Sequence, residues 1–155
     1  LKMSKVEFID NTASVIGALS GSVTAFLLEV GAEVEREVIK GSRVDTGGTK
    51  RSWGFRLKGA DAVAIGSTDQ NAIWEEFGTG AYAEGGKGRK SVPWFFTSPR
   101  KIPGMTPLNR NKRGEYVYRT SGKRPNPNGL RKSMDKLKPR VQKIATSTIG
   151  TLGGE

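Results

Sequence analysis

An α+β fold follows from three features of this 155-residue chain. Apolar side chains recur at helical 3-4 spacing near both ends of the chain. Between these stretches lie short segments rich in β-branched and aromatic residues, and glycine- and proline-rich turns separate them. The expected layout is a long N-terminal helix and a C-terminal helix packed on a small antiparallel sheet, with a long extended loop or hairpin. Taken as one domain, the chain divides into an arm (1–21), a helix (22–41), a sheet (42–80), an extended loop or hairpin (81–123), a helix (129–149) and a flexible tail (150–155).

The first helix rests on Val23, Phe26, Leu27, Val30, Val34 and Val38, which line one face, with Glu29, Glu33, Arg36 and Glu37 mostly on the other. Gly41 supplies its C-cap. The acidic polar face argues for a core or subunit-packing helix rather than one lying on a membrane surface. Next, Asp45, Thr46, Gly47 and Gly48 form a turn in which Asp accepts from backbone amides and glycine takes positive φ. Residues 52–57 and 62–66 read as a hairpin around Gly59, Ala60 and Asp61, and residues 73–77 as a third strand. The segments SVPWFFTS and GEYVYRT, joined by KIPGMTPLNRNKRG, read as an extended hairpin. Trp94, Phe95, Phe96, Tyr116 and Tyr118 would be its adhesive surface, and Arg110, Lys112 and Arg113 its basic tip. The closing helix places Leu130, Met134, Leu137, Val141, Ile144, Ala145 and Thr148 at 4-3-4-3 spacing. Pro139 is expected to kink or divide it. Its polar face carries Arg131, Lys132, Lys136, Lys138, Arg140 and Lys143, which would line a lumen near DNA or meet the acidic helix of a neighbour.

Composition narrows the function. With no cysteine the chain has neither disulfides nor thiolate metal sites, and with no histidine it lacks the commonest general base and metal ligand. No signal pattern is read at the N-terminus and no apolar run of the length that spans a bilayer, so the expectation is a soluble protein of a reducing compartment. Charge is sharply divided. Residues 1–86 hold nine Lys/Arg and twelve Asp/Glu, net −3, whereas residues 87–155 hold seventeen and three, net +14. The basic half suits phosphate backbones or acidic protein faces.

Two enzymatic readings fail on spacing. A Walker-type loop needs four residues between its first glycine and Gly-Lys-Ser/Thr. Here Gly86-Lys87 is followed by Gly88, and the first glycine would fall on Ala81. On a strand, the adjacent Glu75 and Glu76 point to opposite faces and do not converge on a substrate.

The ordered set of motifs resembles the neck, or tail-completion, proteins that join head to tail in long-tailed double-stranded DNA bacteriophages. The matching residues are Val44, Asp45, Thr46 and Gly47 after the helix; Glu76, Phe77, Gly78, Thr79 and Gly80; then Tyr82, Ala83, Gly88, Arg89, Lys90, Pro93 and Trp94. Thr120, Ser121, Gly122 and Pro125 follow. The likeness covers roughly residues 22–150 and departs from the pattern at Asn128-Gly129, where the family shows phenylalanine. It implies a virion component of the neck, assembled in the host cytoplasm, with no enzymatic activity, cofactor, metal or membrane. It further implies a ring of six or twelve copies that meets a head-closure or connector protein and a tail terminator or tail tube protein. Double-stranded DNA would pass through that ring without sequence readout, and Arg110, Lys112, Arg113, Lys132, Lys136 and Arg140 would contact either that DNA or an acidic partner face. The Asp-Thr-Gly and Gly-Thr-Gly turns would be scaffold corners. The alternative is a free-standing, sequence-nonspecific nucleic-acid-binding protein.

Overall fold

A computed structural model describes residues 10–43 and 47–150. Its elements run α1 (Thr12–Gly41), α2 (Gly48–Arg51), β1 (Trp53–Leu57), β2 (Val63–Ser67), α3 (Asn71–Phe77), two 3-10 turns (Gly80–Tyr82 and Glu84–Gly86), β3 (Trp94–Ser98), β4 (Asn109–Arg110), β5 (Tyr116–Thr120) and α4 (Leu130–Ile149). The fold is α+β, with two long helices and two small antiparallel sheets, as the sequence predicts. Contacts divide the chain into two compact units.

The first unit comprises the described parts of 1–37, 54–66 and 134–155. Leu27 and Val34 of α1 and Leu137 and Ile144 of α4 are its buried apolar residues. The two helices run antiparallel, held by ion pairs from Arg140 to Glu33 (3.1 Å) and from Lys136 to Glu37 (3.8 Å). Between these pairs each residue gained on α4 is one lost on α1. Ile149, nine residues beyond Arg140, therefore stands opposite Thr24, and residues 12–21 extend past the end of α4. All ten are exposed, among them Val15, Ile16 and Leu19. The β1–β2 hairpin closes through Lys58 N donating to Ala62 O at 2.8 Å.

The second unit comprises the described parts of 38–53 and 67–133. Its sheet has the order β3-β5-β4. β3 and β5 pair in the register Trp94↔Thr120, Phe96↔Tyr118 and Ser98↔Tyr116, while Asn109 and Arg110 of β4 pair with Val117 and Tyr116. Directly paired residues share a face. Tyr118 is completely buried, stacks on Phe96 with ring centroids 5.4 Å apart, and its hydroxyl accepts from Ile102 N at 2.8 Å.

Five sequence expectations are corrected. α1 begins at Thr12, inside the expected arm, because Asp10 Oδ1 accepts from Thr12 N (2.9 Å) and the apolar stripe continues through Val15 and Leu19. Residues 11–28 carry no charged side chain, so α1 is long and apolar enough to cross a membrane by length and composition. Only 11% of that apolar window is buried. Residues 73–77 are helical, not a strand. Asp69 Oδ1 caps the amide of Asn71 at 2.9 Å, Ala72 is the buried position, and Gly78 stops the helix with φ +74, its N–H donating to Trp74 O at 2.9 Å. α4 continues without a break through Pro139, and Ser133, not Met134, is its buried residue near the N-terminal end.

Candidate functional site

The motif EFGTG lies at a junction within the second unit. Because α3 is a helix, Glu75 and Glu76 both turn inward, each side chain about 12% exposed. Glu75 pairs with Lys123 through Oε1, and its Oε2, which accepts no hydrogen bond, faces Arg43 Nη1 at 3.5 Å. Glu76 caps the start of α4 from another element. Its carboxylate accepts from Leu130 N (2.6 Å), Arg131 N (3.2 Å) and Arg131 Nε (2.6 Å). A carboxylate suits those amides because the first helical N–H groups lack partners and carry the positive end of the helix dipole.

Arg131 reaches further, to Glu84 Oε1 at 2.9 Å, and stacks over the Phe77 ring at 4.7 Å. The bond from Arg131 holds the Glu84 carboxyl below its ordinary range, while Glu84 first and Glu76 second raise the guanidinium. The rest of the motif binds the segment before α4. Thr79 N donates to Lys123 O (2.8 Å), Lys123 N donates to Thr79 Oγ1 (2.9 Å), and Ala81 N donates to Ser121 O (2.8 Å). Gly80 makes this approach possible. Its φ is +58, and a Cβ there would fall on Ser121 O and within 2.7 Å of the Trp94 ring.

Asn126, which sequence reasoning missed, completes the junction. It is buried; its amide N–H donates to Glu75 O (2.6 Å), its side chain donates to Gly41 O at the end of α1 (3.0 Å), and its Oδ1 accepts from Asn128 N (3.0 Å). The dense Pro/Asn cluster PNPNG is the signal that could have found it. Position 129 has no room for a side chain, since a Cβ on Gly129 would collide with the Glu76 carboxylate.

Asp45 and Thr46 of the other turn lie outside the described residues. Gly47 has φ +78 and its carbonyl accepts from Arg51 N at 3.1 Å. Next to it, Thr49 Oγ1 donates to Asp69 Oδ2 (2.6 Å), which holds the Asp69 carboxyl below its usual range, and Ser52 and Ser67 hydroxyls meet at 2.6 Å.

The five hairpin aromatics do not form one surface. Trp94, Phe96, Tyr116 and Tyr118 share one face of the sheet, with Tyr118 wholly covered, whereas Phe95 points the other way and is 62% exposed. The cations also separate. Lys136 and Arg140 pair with acids of α1 in the same chain. Arg110 lies over the Tyr116 ring at 4.2 Å and donates to its hydroxyl. Lys112, Arg113 and Lys132 are exposed.

Among the described residues no three Asp or Glu side chains gather as metal ligands would. A hollow of about 590 Å³ formed by the loop after β3 has Lys101 as its only charged group. Comparison with protein-family models, curated proteins and solved structures finds no match.

Proposed function

We propose that this chain is a structural subunit of a bacteriophage neck, which forms a ring of six or twelve copies and joins the DNA-filled head to the tail without catalysing a reaction. The observation that carries the reading is the use made of the EFGTG motif. Its glutamate, threonine and glycines are spent on joining α3, the 121–126 segment and the start of α4, which is the scaffold-corner role the family resemblance implies. Glu75 and Glu76, the adjacent carboxylates best placed for acid-base work, are bound to cations and amides. The exposed start of α1 and Phe95 offer apolar surface for neighbouring subunits or for the head-closure and tail proteins.

The test is electron microscopy of lysates from a phage genome in which only this reading frame is disrupted. Filled heads beside unjoined tails, restored by supplying the protein, are expected; normally joined virions would remove the assignment. The second reading, a free-standing nucleic-acid-binding protein, is favoured by the net charge of +14 over residues 87–155. It requires tight DNA binding by the isolated monomer and joined virions in the same lysates.

A further inference from the structure

The strand register assembles a feature that the sequence keeps apart. Ser98 at the end of β3 and Arg110 at the end of β4 both pair with Tyr116 at the start of β5. Arg100 and Lys101, which follow β3, therefore share one end of the sheet with Arg110, Lys112 and Arg113 of the β4–β5 turn. All five are exposed. The one acid of that turn, Glu115, is half-buried and accepts from the Asn111 side chain at 2.7 Å.

The turn is also held in shape. Asn111 Oδ1 accepts from the amides of Arg113 (2.9 Å) and Glu115 (3.0 Å), and Asn111 O accepts from Gly114 N (2.9 Å). The cations are thus presented on a braced turn rather than on a floppy one.

We infer that this five-cation crown binds the phosphate backbone of duplex DNA without reading its sequence. Three strands at their usual spacing make an edge about 10 Å wide. Over that length duplex DNA carries about six phosphate charges, close to the number of cations in the crown. Protein surfaces ordinarily intersperse both signs of charge, so an acidic protein face is the poorer match for five cations. Single strands are gripped largely by stacking on open aromatic faces. The aromatic ring at this end, Tyr116, is already covered by Arg110.

The inference is common to both functional readings and depends on neither, because it concerns the isolated chain. The experiment is duplex binding by the full-length protein, measured by fluorescence anisotropy from 50 to 200 mM salt, with a Lys112→Gln/Arg113→Gln variant. The comparison is Lys136→Gln/Arg140→Gln, which removes the same charge from residues already paired with Glu37 and Glu33. Five phosphate contacts predict a loss of affinity of roughly 500-fold over that salt range, and three predict roughly 40-fold. The crown variant should show the smaller dependence, and the α4 variant should keep that of the unsubstituted protein. Equal losses in both variants would overturn the assignment, as would no binding at 50 mM salt or tighter binding to a single strand of the same length. Lys112 and Arg113 have exposed side chains on a turn, so their replacement leaves the fold intact. A virion-joining defect with unchanged DNA binding would separate failure of this inference from failure of the neck reading.

Discussion

Replacing Glu76 is the sharpest test of the junction. In Glu76→Ala the amides of Leu130 and Arg131 lose their acceptor, and Arg131 loses one of its two carboxylate partners. Loss of a helix cap costs about 1 kcal/mol, and a hydrogen bond to a charged group about 1.5–3 kcal/mol. The ion pair itself adds little, because Arg131 is 52% exposed and solvent screens it. Together these give a loss of about 2–4 kcal/mol, a large share of the roughly 5–15 kcal/mol that holds a domain folded. For a chain of this length that corresponds to a fall in Tm of roughly 5–15 °C. Glu76→Gln keeps an acceptor without the charge and should lose about half as much. The comparison variant is Glu84→Ala, which removes only an exposed bond to the same arginine and should cost under about 1 kcal/mol. Urea and thermal unfolding followed by circular dichroism read all three. A Glu76→Ala protein within about 0.5 kcal/mol of the unsubstituted one, or equal losses at Glu76 and Glu84, would refute the capping argument.

Other perturbations probe separate parts of the structure. Gly80→Ala must adopt φ +58 and collide with Ser121 and Trp94, and is expected to lose about 3 kcal/mol or fail to accumulate as folded protein. Tyr118→Phe leaves the Ile102 amide without its acceptor and should cost about 1–2 kcal/mol by urea titration. Phe95→Ser should leave Tm within about 2 °C, since the side chain is exposed, yet lower oligomer formation in analytical ultracentrifugation; unchanged assembly would remove Phe95 from the contact surface. Asp69 has its folded pKa depressed by the Thr49 hydroxyl, so its contribution is present above the unfolded value of 3.8 and is lost as pH falls through the lower folded value. Thr49→Val should bring the carboxyl back toward 3.8 in an NMR titration and shrink that acid-side loss.

How much of this could be read from the sequence depended on the range of the interactions. Periodicity places most of α1 and all of α4, because a stripe repeated over several turns needs only local information. The segments that become β3 and β5 are visible in their aromatic and β-branched residues. α3 is not, because seven residues with apolar side chains near both ends fit two periods equally well. The Asp69 cap that decides between them is a single short bond. β4 has two residues and no pattern of its own. The start of α1 was hidden by Gly17, Gly21 and several serines and threonines, poor helix formers in isolation. Glu76 could not be assigned to α4 at all, since cap and helix lie 54 residues apart.

That last distance separates what a motif can test from what it cannot. EFGTG is the most recognisable stretch of the chain, and the structure spends it inside the second unit. Glu76 serves α4, Thr79 serves the 121–123 segment, and Gly80 serves the Trp94 contact. Substitutions in it should therefore lower any activity the protein has by destabilising a junction, and a loss of that kind identifies no function. Residues that can report function are those whose removal costs the isolated chain almost nothing. They are the overhanging apolar start of α1, Phe95 on the open face of the sheet, and the cations at the end of β3, β4 and β5. Val15, Ile16 and Leu19 contribute little to the folded chain because all three are already in water. A Val15→Ser/Leu19→Ser variant should melt with the unsubstituted protein. On the proposed neck reading, failure to restore joined virions in a complemented phage lysate would make the overhang an interface, and normal joining would remove the overhang from the contact surface and leave Phe95 as the apolar site to test.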